Sequence, residues 1–189
     1  MYNEQRQLLI WPDKFRELTR PVSIHVDDDE IAQFIRECED VFIIPAVGWP
    51  TLKLATMTDP CEADWSEIYS DGFDPVVLLD GGEYNPSGAA CCCDAGGETR
   101  YCNGLRKALA YYVYAKMLRN DGNILARAGA MQHQDQYAYH TNDPELKRYN
   151  DTMDVAEKYL GECIEYANMF KQAKRTVRGS RARIIPVGD

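Results

Sequence analysis

Residues 104–118, GLRKALAYYVYAKML, decide the fold class. Leu105, Leu109, Tyr112 and Lys116 fall on one helical face, and Ala108, Tyr111, Ala115 and Leu118 on another, so apolar side chains wrap most of the way round. A helix with that pattern belongs at the centre of its domain, and its tyrosine hydroxyls need a wet rim or an interface. Gly104 opens it and Asn120-Asp121-Gly122 stops it.

Downstream, residues 123–141 are polar and read as a second loop or hairpin. The longest element follows. Asp143 is placed to cap it, Pro144 occupies the first helical position, and the pattern runs to about residue 174. Leu146, Tyr149, Met153, Ala156, Leu160, Cys163, Ala167 and Phe170 alternate spacings of three and four, a sustained seven-residue repeat. At 1.5 Å per residue such a helix is roughly 45 Å long, more than one compact domain needs. The pattern therefore predicts that part of its apolar stripe, Leu160 and Ala167 included, meets another subunit.

Upstream of the central helix, residues 28–42 place Ile31, Phe34, Ile35, Cys38, Val41 and Phe42 at helical spacing behind the caps Asp27 and Asp28. Pro45 and Gly48 mark the end of that helix. Helical turns are expected again at 52–57 and 62–69, and residues 76–79 form either a short helix or a buried strand, closed by Gly81-Gly82. Residues 83–103 read as an inserted hairpin, with Glu83-Tyr84 pairing Arg100-Tyr101 and a long tip between them. Residues 1–26 show no sustained period and read as an extended arm, with one helical turn at 14–18.

The chain has 189 residues, 45% of them hydrophobic, enough for a real core. A net charge of -9 argues against a non-specific grip on nucleic acid or anionic lipid. No apolar run reaches the length of a membrane span, and residues 1–10 lack the basic start and apolar stretch of a secretion signal, so a soluble chain made inside the cell is expected. The charge is segregated. Beyond Phe170, Lys171, Lys174, Arg175, Arg178, Arg181 and Arg183 face only Asp189, which leaves the preceding body more acidic than the whole.

Chemistry-bearing motifs are scarce. Seven cysteines, three of them consecutive, do not make a secreted disulfide framework. Cys91, Cys93 and Cys102 are the candidate zinc ligands, but three adjacent cysteines suit a tetrahedral ion poorly. His133 and His140 read as solvated loop side chains. The sequence holds no Gly-x-Ser-x-Gly elbow and no phosphate-binding glycine loop, and Asp27, Asp28 and Asp29 are explained by the helix dipole. No catalysis and no cofactor are expected. The tail predicts partner binding instead: Arg175, Arg178, Arg181 and Arg183 would set approach to an acidic neighbour, while Ile184, Ile185 and Val187 form an apolar hook.

Three stretches carry a family resemblance: IAQFIRECEDVFIIPAVGWPTL at 31–52, LLDGGEY followed by a hairpin and GLRKALAYYVYAKML at 78–118, and NDPELKRYNDTMDVAEKYLGECIEYANMF at 142–170. In order and texture they resemble the small head-to-tail connector (adaptor) proteins of tailed bacteriophages, especially those of crAss-like phages. The resemblance implies a mainly α fold, a helical bundle with β-hairpin insertions and extended N- and C-terminal arms. The residue patterns divide the chain into an N-terminal arm (1–26), a helical connector domain (27–174) with the hairpin insertion 83–103 and the second loop or hairpin 123–141, and a basic C-terminal docking tail (175–189). The resemblance, which covers roughly residues 30–170, further implies a structural virion protein, assembled in the host cytoplasm. Copies would form a ring, commonly of twelve, in the neck at the head–tail interface. That ring would bind the portal protein and downstream tail or neck proteins and surround a channel that DNA crosses without specific binding. No membrane partner is implied. Two alternatives stand beside it: a tail-completion or stopper ring, and a metal- or thiol-dependent regulatory module built on the cysteine-rich hairpin.

Overall fold

The computed structural model describes residues 6–20, 27–57, 59–86, 99–120, 123–126, 129–132 and 144–171. At its centre, α6 (Leu105–Asn120) packs antiparallel on α7 (Pro144–Phe170). The pairing is fixed by Cys102 against Cys163, Tyr111 edge-on to Tyr159 with ring centroids 5.5 Å apart, and the Arg119 guanidinium over the Tyr149 ring. Leu105, Ala108, Leu109, Ala110, Tyr112, Val113 and Ala115 are all buried, as expected of a helix apolar on nearly every side.

α7 buries Thr152, Ala156, Leu160, Cys163, Tyr166 and Ala167. It ends at Phe170, short of residue 174, because the Ser70 N–H donates to the Phe170 carbonyl at 2.7 Å and Lys171 enters an antiparallel bridge with Tyr69. Leu160 and Ala167 are 8% and 5% exposed, covered by this chain's own core. That corrects their expected place at a subunit interface. From Ala156 to Ala167 the repeat is used up inside the monomer, where α6 and the aromatic residues before α5 pack on it.

α2 (Asp28–Cys38), capped by the Asp27 carboxylate, runs into a π-helical turn at Glu39–Ile43, then α3 (Ile44–Val47), and stops at Gly48 with φ +93°. Pro45 does not end the helix. The wider turn absorbs a residue that cannot donate a backbone hydrogen bond. It also rotates the stripe, so that Glu39 is fully buried and Val41, expected inside, is 51% exposed. α4 (Trp49–Ala55) follows and buries Thr51, Leu52 and Ala55.

The helix expected at 62–69 is replaced by turns. The Asp59 and Asp64 carboxylates each accept the backbone N–H two residues on, at 3.0 Å, a local bond that competes with helix. Trp65, Tyr69 and Phe73 from this segment pack with Tyr84, Tyr166 and Phe170 into an aromatic cluster, Tyr69 stacking on Phe73 at 4.0 Å. α5 (Pro75–Leu79) resolves the helix-or-strand alternative, with Asp74 accepting from the Val76 N–H.

β1 (Gly82–Tyr84) pairs antiparallel with β2 (Arg100–Cys102), Glu83 opposite Tyr101, between the two segments expected to pair. A second hairpin, β3 (Asn123–Ala126) with β4 (Gly129–Gln132), follows α6 directly. The architecture is therefore mainly α with β-hairpin insertions.

The N-terminal segment is no arm over residues 6–20. Leu8, Leu9, Ile10 and Phe15 are buried in the main core, and α1 (Pro12–Leu18) makes nearly two turns where one is expected at 14–18. Residues 21–26 and the tail 175–189 lie outside the described residues.

Candidate functional site

Two polar features and one groove stand out from the packing. The first lies at the π turn. Glu39 Oε1 accepts the Leu9 N–H at 2.7 Å, its other oxygen pairs with the Arg6 guanidinium, and Arg6 also reaches Asp40 Oδ1 at 2.7 Å and lies over the Trp49 ring. This network clasps the N-terminal segment onto α2. Burial pushes the Glu39 carboxyl above the usual carboxylate range, against the pull of the Leu9 N–H and Arg6.

A group whose acid pKa rises on folding contributes stability below its unfolded pKa and loses that contribution as the pH climbs through the folded value. Glu39→Gln keeps the side-chain acceptor for Leu9 and removes the titration. Over about pH 4 to 7 the thermal midpoint of the unmodified protein is expected to fall relative to that of the variant. A difference growing the other way in paired melts would mean that the Arg6 ion pair outweighs the cost of burial.

The second feature is a thiol pair. Cys102 at the end of β2 and Cys163 on the inward stripe of α7 are both buried, both free, and 3.5 Å apart sulfur to sulfur. The hydrogen bond between the two sulfurs holds the Cys102 thiol down, helped by the Gly104 N–H. The same bond and burial push the Cys163 thiol well above its ordinary range. Beside the pair, Asn103 donates to Glu162 at 2.7 Å, a second tie between the hairpin base and α7.

The groove opens between α2, α6 and α7, with a volume of about 490 Å³. Glu30, Gln33, Phe34 and Glu37 line it from α2, Lys116 and Arg119 from α6, and Tyr149 from α7. Lys116 pairs with Glu37 across it. Charges of both signs around two aromatic rings suit a polar protein segment.

Of the site residues expected from sequence, Cys102 faces Cys163 in the core, and Leu160 and Ala167 are core residues. Cys91, Cys93, Arg175, Arg178, Arg181, Arg183, Ile184, Ile185 and Val187 lie outside the described residues, as do His133 and His140. No group of three or more His, Cys, Asp or Glu able to hold a metal ion occurs among the described residues. Sequence reasoning missed Glu39 and the partner of Cys102. The signal for the first was Pro45 inside an unbroken helical pattern, and for the second a cysteine on the inward stripe of the last helix.

A family model described as a family of unknown function, DUF6712, matches residues 62–172. The chain belongs to DUF6712. No curated protein and no solved structure matches it. The DUF6712 region begins before the aromatic cluster and takes in α5, both hairpins, α6 and α7, so it contains the thiol pair and the whole of the central helix pairing. α1 to α4 precede that region yet supply Phe15, Ile31, Ile35 and Leu52 to the same core. Among the described residues no helix is long and apolar enough to cross a membrane.

Proposed function

We propose that this chain is a structural virion protein that forms an oligomeric ring in the neck of a tailed phage, joins the capsid portal to the tail and surrounds the DNA channel. The observation that carries the reading is the order of parts: a capped amphipathic helix that runs to Gly48, a hairpin that leads through Gly104 into the central helix, and a long final helix packed antiparallel on it, the order on which the resemblance to connector proteins rests. Two further features support an assembling role. Trp11, Val41 and Trp49 stay 62%, 51% and 46% exposed on the N-terminal layer, large apolar surface of the kind that subunit contacts cover. The acidic body and basic tail have the opposite charges that a strap onto a neighbouring subunit or portal would use. An acidic channel wall would repel DNA phosphates and let the duplex slide.

Electron microscopy of the purified protein, alone and with portal, tests the reading. Rings, or rings formed on portal, are expected, with a lumen not lined mainly by Lys and Arg, and loss of joining when residues 182–189 are deleted. Particles that stay monomeric in both samples would overturn it. The competing metal- or thiol-dependent module draws on the Cys102–Cys163 contact. Stoichiometric zinc lost on joint replacement of Cys91, Cys93 and Cys102 would favour that module.

A further inference from the structure

The thiol pair lies where the base of the first hairpin meets α7, beside the Asn103–Glu162 hydrogen bond and the Tyr84–Tyr166 ring contact. Cys102 closes the base of the first hairpin, Cys163 lies in the middle of α7, and 61 positions separate them in sequence. A sulfur–sulfur distance of 3.5 Å is van der Waals contact, and a disulfide needs the two atoms to approach by only about 1.5 Å more. The geometry points to a redox-sensitive cross-link: Cys102 and Cys163 form a disulfide that ties the base of the β1–β2 hairpin to α7.

The oxidant is a small-molecule disulfide of the glutathione type. Cys102 is the first nucleophile, since it closes a two-stranded hairpin whose exposed Arg100 and Tyr101 lie beside it, whereas Cys163 lies in the middle of a long core helix. Its thiolate, having given a proton to water, attacks one sulfur of the oxidant, and the S–S bond there breaks to expel one thiolate. That thiolate takes the Cys163 proton. The Cys163 thiolate then attacks the Cys102 sulfur of the mixed disulfide and expels the second small thiolate, which takes back the proton given to water. The protein loses two electrons and two protons, and the oxidant is reduced to two thiols.

Both sulfurs are buried, so exchange proceeds through local opening. The two-stranded hairpin is the place for it: Arg100 and Tyr101, next to Cys102, are exposed. Once formed, the bond removes loop-closure entropy from the unfolded chain and holds β2, the Gly104 joint and α7 as one unit. The inference does not depend on the ring reading.

The full chain, reduced and then treated with oxidised glutathione, is digested without reduction after blocking of free thiols, and its peptides are mapped by mass. The expected product is the Cys102 peptide joined to the Cys163 peptide, lighter than the two thiol peptides by two hydrogen atoms. The oxidised protein should melt about 5 to 10 °C higher, and dithiothreitol should reverse both changes. Cys163→Ser should lose the cross-link and the shift together. Because the map is read on the unmodified chain, it stands even where the variant folds poorly. Cys102 and Cys163 still open to alkylation after oxidation would overturn the proposal. So would bridging of Cys102 to Cys38, Cys61 or the cysteines at 91–93, or a lower midpoint on oxidation.

Discussion

Gly104→Ala is expected to lower the stability of the domain by about 4 kcal/mol or more, a drop of about 10 °C in thermal midpoint. Gly104 has φ +86°, where an L side chain is strained, and a Cβ there would sit 2.6 Å from the Asp80 carbonyl carbon and the Gly81 nitrogen and 2.7 Å from the Leu79 oxygen. All three are backbone atoms. Relief requires the end of α5 to leave the start of α6, which also breaks the two bonds from Arg106 to Asp80 at 2.7 and 2.8 Å. Gly81 closes the same joint from the other side, with φ +93° and the Cys102 oxygen 2.7 Å from its own would-be Cβ. Gly161→Ala is the control: it is helical with nothing within 4 Å of the added carbon, and should gain up to about 1 kcal/mol. Calorimetric melts of the two variants decide the matter, and a loss under about 1 kcal/mol at Gly104 would mean that the joint yields.

Leu160→Asp is expected to leave no folded protein at 25 °C. The change gives up about 2 to 3 kcal/mol of side-chain burial and puts a carboxylate at a position only 8% exposed in the core. Far-UV circular dichroism run beside sedimentation separates the outcomes. Lost helix in the variant places Leu160 in the core of its own subunit. A folded species that sediments as a smaller particle would return it to an interface.

Much of the fold was legible from local pattern. The central helix could be read because Leu105, Leu109 and Tyr112 on one side and Ala108 and Ala115 on another leave no polar face, and the first hairpin because Glu83-Tyr84 and Arg100-Tyr101 bracket a glycine-rich stretch. Gly81 and Gly104 were legible as punctuation. That they abut one another was not, since the contact joins the end of one helix to the start of another. The 62–69 segment was misread because Trp65, Ile68 and Tyr69 keep helical spacing, while the carboxylates of Asp59 and Asp64 hold the backbone in turns.

By itself the sequence determined the mainly helical class, the first hairpin and the central place of α6, because periodicity and turn residues act over a few positions. Only the tertiary structure decided that residues 6–20 join the core, that Glu39 is buried, and that Leu160 and Ala167 are spent inside the monomer. A short apolar run such as Leu8-Leu9-Ile10 has no period to announce it. Its burial depends on a carboxylate 30 residues away. Whether a stripe faces its own subunit or another depends on what else in the chain comes to cover it, and that is a property of the assembled core.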